Sequence, residues 1–130
     1  MRSKESMLDR TQVVIVAEKY PLARASLADL LKYDGYRALQ ADNFGAAMNQ
    51  IESVENVFAV LVDLDLVGWR TLVRQAVDGK RLVIAMRGEH FVSNGELDQR
   101  GVSVCFDKPI IYRDIAEVIK AHAAITGSVI

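Results

Sequence analysis

Four short stretches of the chain are apolar without interruption and rich in β-branched residues: 12–17 (QVVIVA), 57–62 (VFAVLV), 82–86 (LVIAM) and 102–106 (VSVCF). A strand with one wet face alternates apolar and polar residues, whereas a strand covered on both faces does not. Unbroken runs of this length therefore predict a parallel sheet sandwiched between helices. A fifth, weaker stretch, 36–40 (YRALQ), mixes polar and apolar residues and suits an edge strand.

Between these runs the apolar period becomes helical. Pro21 is well placed at a helix start, Leu22, Ser26, Leu30 and Tyr33 fall on one side, and Gly35 follows as a stop. Asn43 is a capping residue for a second helix carrying Ala47, Met48, Ile51 and Val54, and Leu72, Val73, Ala76 and Val77 mark a third that ends at Gly79. A polar segment from Ser93 to Arg100, closed by Gly101, predicts a short fourth helix. Ile111, Ile115, Val118, Ile119 and His122 form the apolar stripe of a fifth. Five β-α repeats with right-handed crossovers give a doubly wound five-stranded parallel sheet with helices on both faces.

A chain of 130 residues fits one domain and not two, and the 51% apolar, 25% charged composition excludes a disordered tail. No linker interrupts it, so the expected layout is a loose tail over 1–10, the folded domain over 11–126 and a C-terminal tail over 127–130. Sixteen basic against seventeen acidic residues leave a net charge of −1, which provides no positive field for nucleic acid. Cys105 stands alone, no apolar run is long enough to cross a bilayer, and the N-terminus lacks the apolar core of a signal peptide. These features predict a cytoplasmic, non-membrane protein.

In a doubly wound sheet the chemistry lies outside the carboxyl ends of the strands. Those ends read Glu18-Lys19, Asp63, Arg87-Gly88 and Asp107-Lys108-Pro109, and every one is charged. The loop after the first strand, Glu18-Lys19-Tyr20-Pro21, has no glycine or hydroxyl residue and contains a proline without an N–H, so it is unsuited to cradling a cofactor phosphate. Gly79-Lys80-Arg81 lacks the flanking residues of a P-loop, and no serine sits in a nucleophile elbow with His90 or His122 as partner.

Three segments together carry a family resemblance. Residues 14–24 (VIVAEKYPLAR) resemble the acidic-loop segment of receiver domains of bacterial two-component response regulators. Residues 60–68 (VLVDLDLVG) resemble their phosphoacceptor strand and loop, and Gly101 through Lys108-Pro109-Ile110 resembles their last strand with its Lys-Pro. The order and spacing agree over about residues 11 to 126. The resemblance implies strand order 2-1-3-4-5, Asp63 as phosphoacceptor, Lys108 as the cation pairing its phosphoryl group, and Glu18, Asp63 and the backbone carbonyl of Asp65 as ligands of Mg²⁺. It also implies a hydroxyl on the fourth strand that receives a phosphoryl oxygen and draws its loop inward, and an aromatic on the fifth strand that follows.

Here the second acid is replaced by Lys19, the hydroxyl by Arg87 followed by Gly88, and the aromatic by Cys105; Val67 stands where a proline is usual. If all these side chains turn inward, two acids face three cations, a local balance of about +1 where the family has about −2, and the incentive to bind Mg²⁺ is removed. Three functions follow as expectations. One is a pseudo-receiver acting by protein–protein contact, with Lys19 or Arg87 standing in for the metal. Another is a phosphorylatable receiver in which Arg87 grips the phosphoryl group that Asp63 accepts from a histidine kinase. The third is a flavodoxin-like small-molecule binder. None is an enzyme beyond self-phosphorylation of Asp63 from a phosphohistidine donor. Partners implied by the resemblance are a histidine kinase or phosphotransfer protein, an output protein, or a second copy docked through the fourth helix, fifth strand and fifth helix, where Tyr112, Arg113 and Ile119 are placed. Cys105 and His122 are expected to pack as core, and Trp69, in the loop near the pocket, to be either an exposed contact residue or partly buried against the third helix.

Overall fold

The computed structural model describes residues 11–126; the tails expected over 1–10 and 127–130 lie outside the described residues. In chain order the elements are β1 (Val13–Ala17), α1 (Pro21–Tyr33), β2 (Arg37–Ala41), α2 (Phe44–Ser53), β3 (Val57–Asp63), α3 (Trp69–Asp78), β4 (Leu82–Arg87), α4 (Asn94–Gln99), β5 (Val104–Asp107) and α5 (Tyr112–Thr126). All five strands are parallel, in the order β2-β1-β3-β4-β5. Ile15 pairs with both Leu39 and Val60, and Ile84 with both Leu61 and Val104, so three of the four runs are the interior strands, while 102–106 supplies the edge strand β5.

Successive strand residues point to opposite faces, and the core divides accordingly. Ile15, Val60, Val62, Val83 and Ala85 pack with Ile51 of α2, Leu72 and Val73 of α3 and Leu97 of α4. Val14, Val16, Leu61, Ile84 and Met86 pack on the other side with Leu27 and Leu31 of α1 and Ile115 and Ile119 of α5. Asn43 caps α2 by accepting the Ala46 N–H at 2.9 Å, Ser93 caps α4 by accepting the Glu96 N–H at 3.1 Å, and Gly79 closes α3. No helix among the described residues is long and apolar enough to cross a membrane.

Several expectations about individual side chains are corrected. The buried face of α1 is Leu27, Ala28 and Leu31, while Leu22, Ser26, Leu30 and Tyr33 are exposed. The helix carries two apolar stripes, and the sheet selects the one whose small Ala28 lets the backbone approach. Ile111 is exposed, preceding α5. Trp69 is not a loop residue: it opens α3 and is buried, with the guanidinium carbons of Arg70 and Arg100 at 4.5 and 5.7 Å from its ring. Cys105 is only half-buried at the edge of the core. His122 packs its ring at 5.4 Å from that of Phe58. Ile119 is fully buried and Tyr112 donates at 2.7 Å to Oδ2 of Asp34, the residue that caps the end of α1, so of the three residues assigned to a dimer face only Arg113 is exposed.

Candidate functional site

The sheet's backbone pairing extends past the strands and fixes the site. The Glu18 N–H donates to the Ala41 carbonyl at 3.0 Å, the Leu64 N–H to that of Met86 at 2.9 Å, and the Lys108 N–H to that of Arg87 at 2.9 Å. Glu18, Asp63 and Lys108 are thereby held side by side at the carboxyl edge of β1, β3 and β5.

Lys108 Nζ bridges the two acids, 3.0 Å from Asp63 Oδ1 and 3.1 Å from Glu18 Oε2. Asp63 is fully buried, at 0% exposure, and both its oxygens have further donors: the Asp65 N–H at 2.9 Å on Oδ1 and the Lys19 N–H at 3.1 Å on Oδ2. Glu18 Oε2 also accepts the Tyr20 N–H at 3.1 Å, while its Oε1 is buried with no donor aimed at it. Burial, reinforced by the hydrogen bond and like charge of Asp63, pushes the Glu18 carboxyl up to about 7. Burial raises Asp63 too, but the hydrogen bonds from Glu18, from the Asp65 and Lys19 N–H groups and from Lys108 outweigh it and hold Asp63 below the usual carboxylate range. Two carboxyls this close do not both ionise freely. Glu18 is therefore the member of the pair that takes up a proton first as pH falls, and Asp63 the one that keeps its charge.

The expected cations do not join this cluster. Lys19 reaches Asp63 only through its backbone N–H; its ammonium lies 5.1 Å from the Tyr20 ring centroid. The same ring stands 4.7 Å from Lys108 Nζ. Arg87 turns away: Nε donates to Asp107 Oδ1 at 2.7 Å, and one terminal nitrogen donates to the Val92 carbonyl at 2.7 Å and to Asn94 Oδ1 at 2.9 Å. Asp107 is its acidic partner. The local excess of positive charge inferred from sequence is therefore absent, because neither Lys19 nor Arg87 presents its charge to Asp63.

Asp65 contributes more than a backbone carbonyl. Its carboxylate is buried and accepts the Glu89 N–H at 3.0 Å, the His90 N–H at 2.9 Å and His90 Nδ1 at 2.8 Å. Burial opposes its ionisation, but these bonds and the Lys108 charge prevail and bring it down to about 2. Sequence reasoning gave Tyr20 and His90 no role at this site and placed Gly88 only as a strand-end residue; the glycine directly after β4 was the one available signal.

Lys108 Nζ lies between the two acids that the resemblance assigns to Mg²⁺, and the Asp65 side chain, whose backbone carbonyl was the third expected ligand, faces the β4–α4 loop. A magnesium ion demands near-octahedral oxygen ligands, and the two acid side chains already accept from nitrogen donors on Asp63 Oδ1, Asp63 Oδ2 and Glu18 Oε2. Glu18 Oε1 is without a donor, and Asp63 Oδ2 has one N–H donor, that of Lys19. Among the described residues no group of three His, Cys, Asp or Glu side chains is arranged to hold a metal.

No family model matches the chain, and no curated protein is similar to it in sequence. Solved structures are. A CheY-like response regulator receiver domain protein from Methanospirillum hungatei JF-1 superposes with a TM-score of 0.77 at 21% identity, covering 86% of this chain and 93% of that one. A response regulator receiver protein from Pseudomonas putida gives 0.77 at 20% identity, covering 85% and 97%. A response regulator from Thermotoga maritima gives 0.71 at 19% identity, covering 85% and 96%. The fold is that of response regulator receiver domains.

Proposed function

We propose that the chain is a pseudo-receiver: a receiver-like signalling module in which Mg²⁺-dependent phosphorylation of Asp63 is impaired and which acts by protein–protein contact. The observation that carries this reading is the burial of Asp63 together with its three hydrogen bonds, from the Lys19 and Asp65 N–H groups and from Lys108. In-line phosphoryl transfer requires a carboxylate oxygen with a free, solvent-facing lone pair opposite the leaving group, and metal ions to neutralise the developing charge. Here the Asp63 carboxylate is fully buried, and its Oδ1 is engaged by Lys108 and the Asp65 N–H. The partner is a histidine kinase, a phosphotransfer protein or an output protein. Exposed Leu22, Leu30 and Tyr33 on α1 provide apolar surface for such a contact.

The decisive measurement is intact mass after incubation with acetyl phosphate and millimolar Mg²⁺, with Asp63→Asn as control. The reading predicts no gain of a phosphoryl group. A gain that Asp63→Asn abolishes would overturn it in favour of a phosphorylatable receiver, the reading favoured by the retained Asp63–Lys108 pair. The flavodoxin-like reading is disfavoured because the Lys19 and Tyr20 N–H groups, which a phosphate loop would offer to a ligand, are spent on Asp63 and Glu18.

A further inference from the structure

The segment from Gly88 to Val92, joining β4 to α4, is fastened from two sides by charged groups. From within, the buried Asp65 carboxylate accepts the N–H groups of Glu89 and His90 and is touched by His90 Nδ1. From outside, Arg87 grips the Val92 carbonyl and Asn94 Oδ1 while held by Asp107. Gly88 makes the inner attachment feasible. A Cβ built on it collides with Asp65 Oδ2 and lies 3.1 Å from Lys108 Cδ, so the carboxylate occupies the volume a side chain at position 88 would take.

An ionised carboxylate fixed by two convergent backbone N–H groups beside a lysine is an anion site whose anion is part of the chain. We propose that Asp65 is the resident anion of this site, a built-in latch that holds the β4–α4 loop against the β3–α3 loop without any added phosphoryl group, with Gly88 as its obligatory counterpart. The latch deepens the pseudo-receiver reading by naming what fixes the module in one state. It does not depend on whether Asp63 is modified.

Two measurements on the intact chain test it. The first is amide hydrogen exchange at Glu89 and His90. In the native protein both amides are protected; in Asp65→Ala they exchange at least about tenfold faster, the equivalent of one hydrogen bond to a charged group. Added sodium formate, a carboxylate small enough for the vacated volume, slows them again, whereas sodium chloride at equal ionic strength does not. Unprotected amides in the native protein, or protection unchanged in a folded Asp65→Ala, overturn the latch, and so does an equal response to formate and chloride.

The second is a double-mutant cycle that stands even where Asp65→Ala is only marginally folded. Gly88→Ala should lower the denaturant midpoint of the native protein clearly and that of Asp65→Ala little or not at all, because the clash partner is gone. Equal losses in both backgrounds would sink the idea. Phosphoryl uptake by Asp63 in the mass experiment would overturn the pseudo-receiver reading and leave both of these outcomes standing, so the two failures are distinguishable.

Discussion

Lys108 Nζ lies 3.0 Å from Asp63 Oδ1 across a span of 45 residues, and it is the only charged group among the described residues that pairs with the buried Asp63 carboxylate. Removing the cation leaves that charge uncompensated, a loss of about 3–5 kcal/mol for a buried pair broken on one side. Lys108→Met is thus expected to be among the most destabilising single substitutions at the site. Asp63→Asn keeps one acceptor oxygen, for the Asp65 N–H and Lys108, and loses the acceptor of the Lys19 N–H, but it leaves no buried charge unpaired and removes the like charge facing Glu18, so it should cost less. Urea midpoints of the two variants check the order; Asp63→Asn as the more damaging change would refute it.

Arg87 and Asp107 form one ion pair but are not equivalent. The Arg87 side chain is 16% exposed and also serves Val92 and Asn94, whereas that of Asp107 is 69% exposed. Arg87→Ala strips a buried-side donor from the Val92 carbonyl and should cost about 1–3 kcal/mol. Asp107→Ala breaks only a surface ion pair, which is worth about 0–1 kcal/mol. Thermal or chemical denaturation of the two variants is expected to show that inequality, with faster amide exchange at 92–95 in Arg87→Ala alone.

How far these relationships were legible in the sequence depends on their range. The unbroken runs at 12–17, 57–62 and 82–86 forced a sheet covered on both faces, and the charged strand ends located the site. Periodicity alone does not choose between the Leu22/Leu30/Tyr33 and Leu27/Ala28/Leu31 stripes of α1, because the sheet makes that choice. Summing charges by strand end likewise failed, since it assumed that Lys19 and Arg87 point inward. Position along a strand fixes where a Cα lies, but a long cationic side chain goes to whichever acid the fold brings near. For Arg87 that acid is Asp107, presented one strand away at the matching register position of β5. The use of Asp65's side chain was legible only in combination with Gly88.

The Glu18 carboxyl carries a pH signature. Its folded-state value is raised to about 7 by burial and by Asp63, so between the ordinary glutamate value near 4.5 and pH 7 the folded state binds more protons than the unfolded one. Its contribution is fully present below about pH 4.5 and is lost as pH rises through about 7. Asp63 and Asp65 work in the opposite sense: both are held below their ordinary value, so their stabilisation is present above about pH 4 and declines as pH falls further. Stability is therefore expected to peak near pH 4.5–5 with respect to this cluster and to decline toward pH 7.5. In Glu18→Gln that decline should flatten. Urea midpoints at pH 5, 6 and 7.5 for both proteins measure it, and an unchanged slope in the variant would refute the assignment of the proton to Glu18.

Gly68 and Gly35 both have a left-handed backbone, with φ of +88° and +98°, but their surroundings differ. A Cβ at Gly35 meets nothing within 4 Å, whereas one at Gly68 falls 2.8 Å from a ring carbon of Phe44. Gly35→Ala should therefore cost only the backbone term of about 1–2 kcal/mol for a non-glycine residue in that region. Gly68→Ala adds displacement of the Phe44 ring, which packs against the core cluster containing Trp69 and Leu72. The extra loss belongs to that contact, so it should largely disappear when Phe44 is first shortened to alanine, even though the Phe44→Ala background is itself less stable. Comparing the midpoints of Gly35→Ala, Gly68→Ala, Phe44→Ala and the 44/68 double variant separates the two terms. Equal losses for Gly35→Ala and Gly68→Ala would show that backbone strain alone selects glycine after Val67.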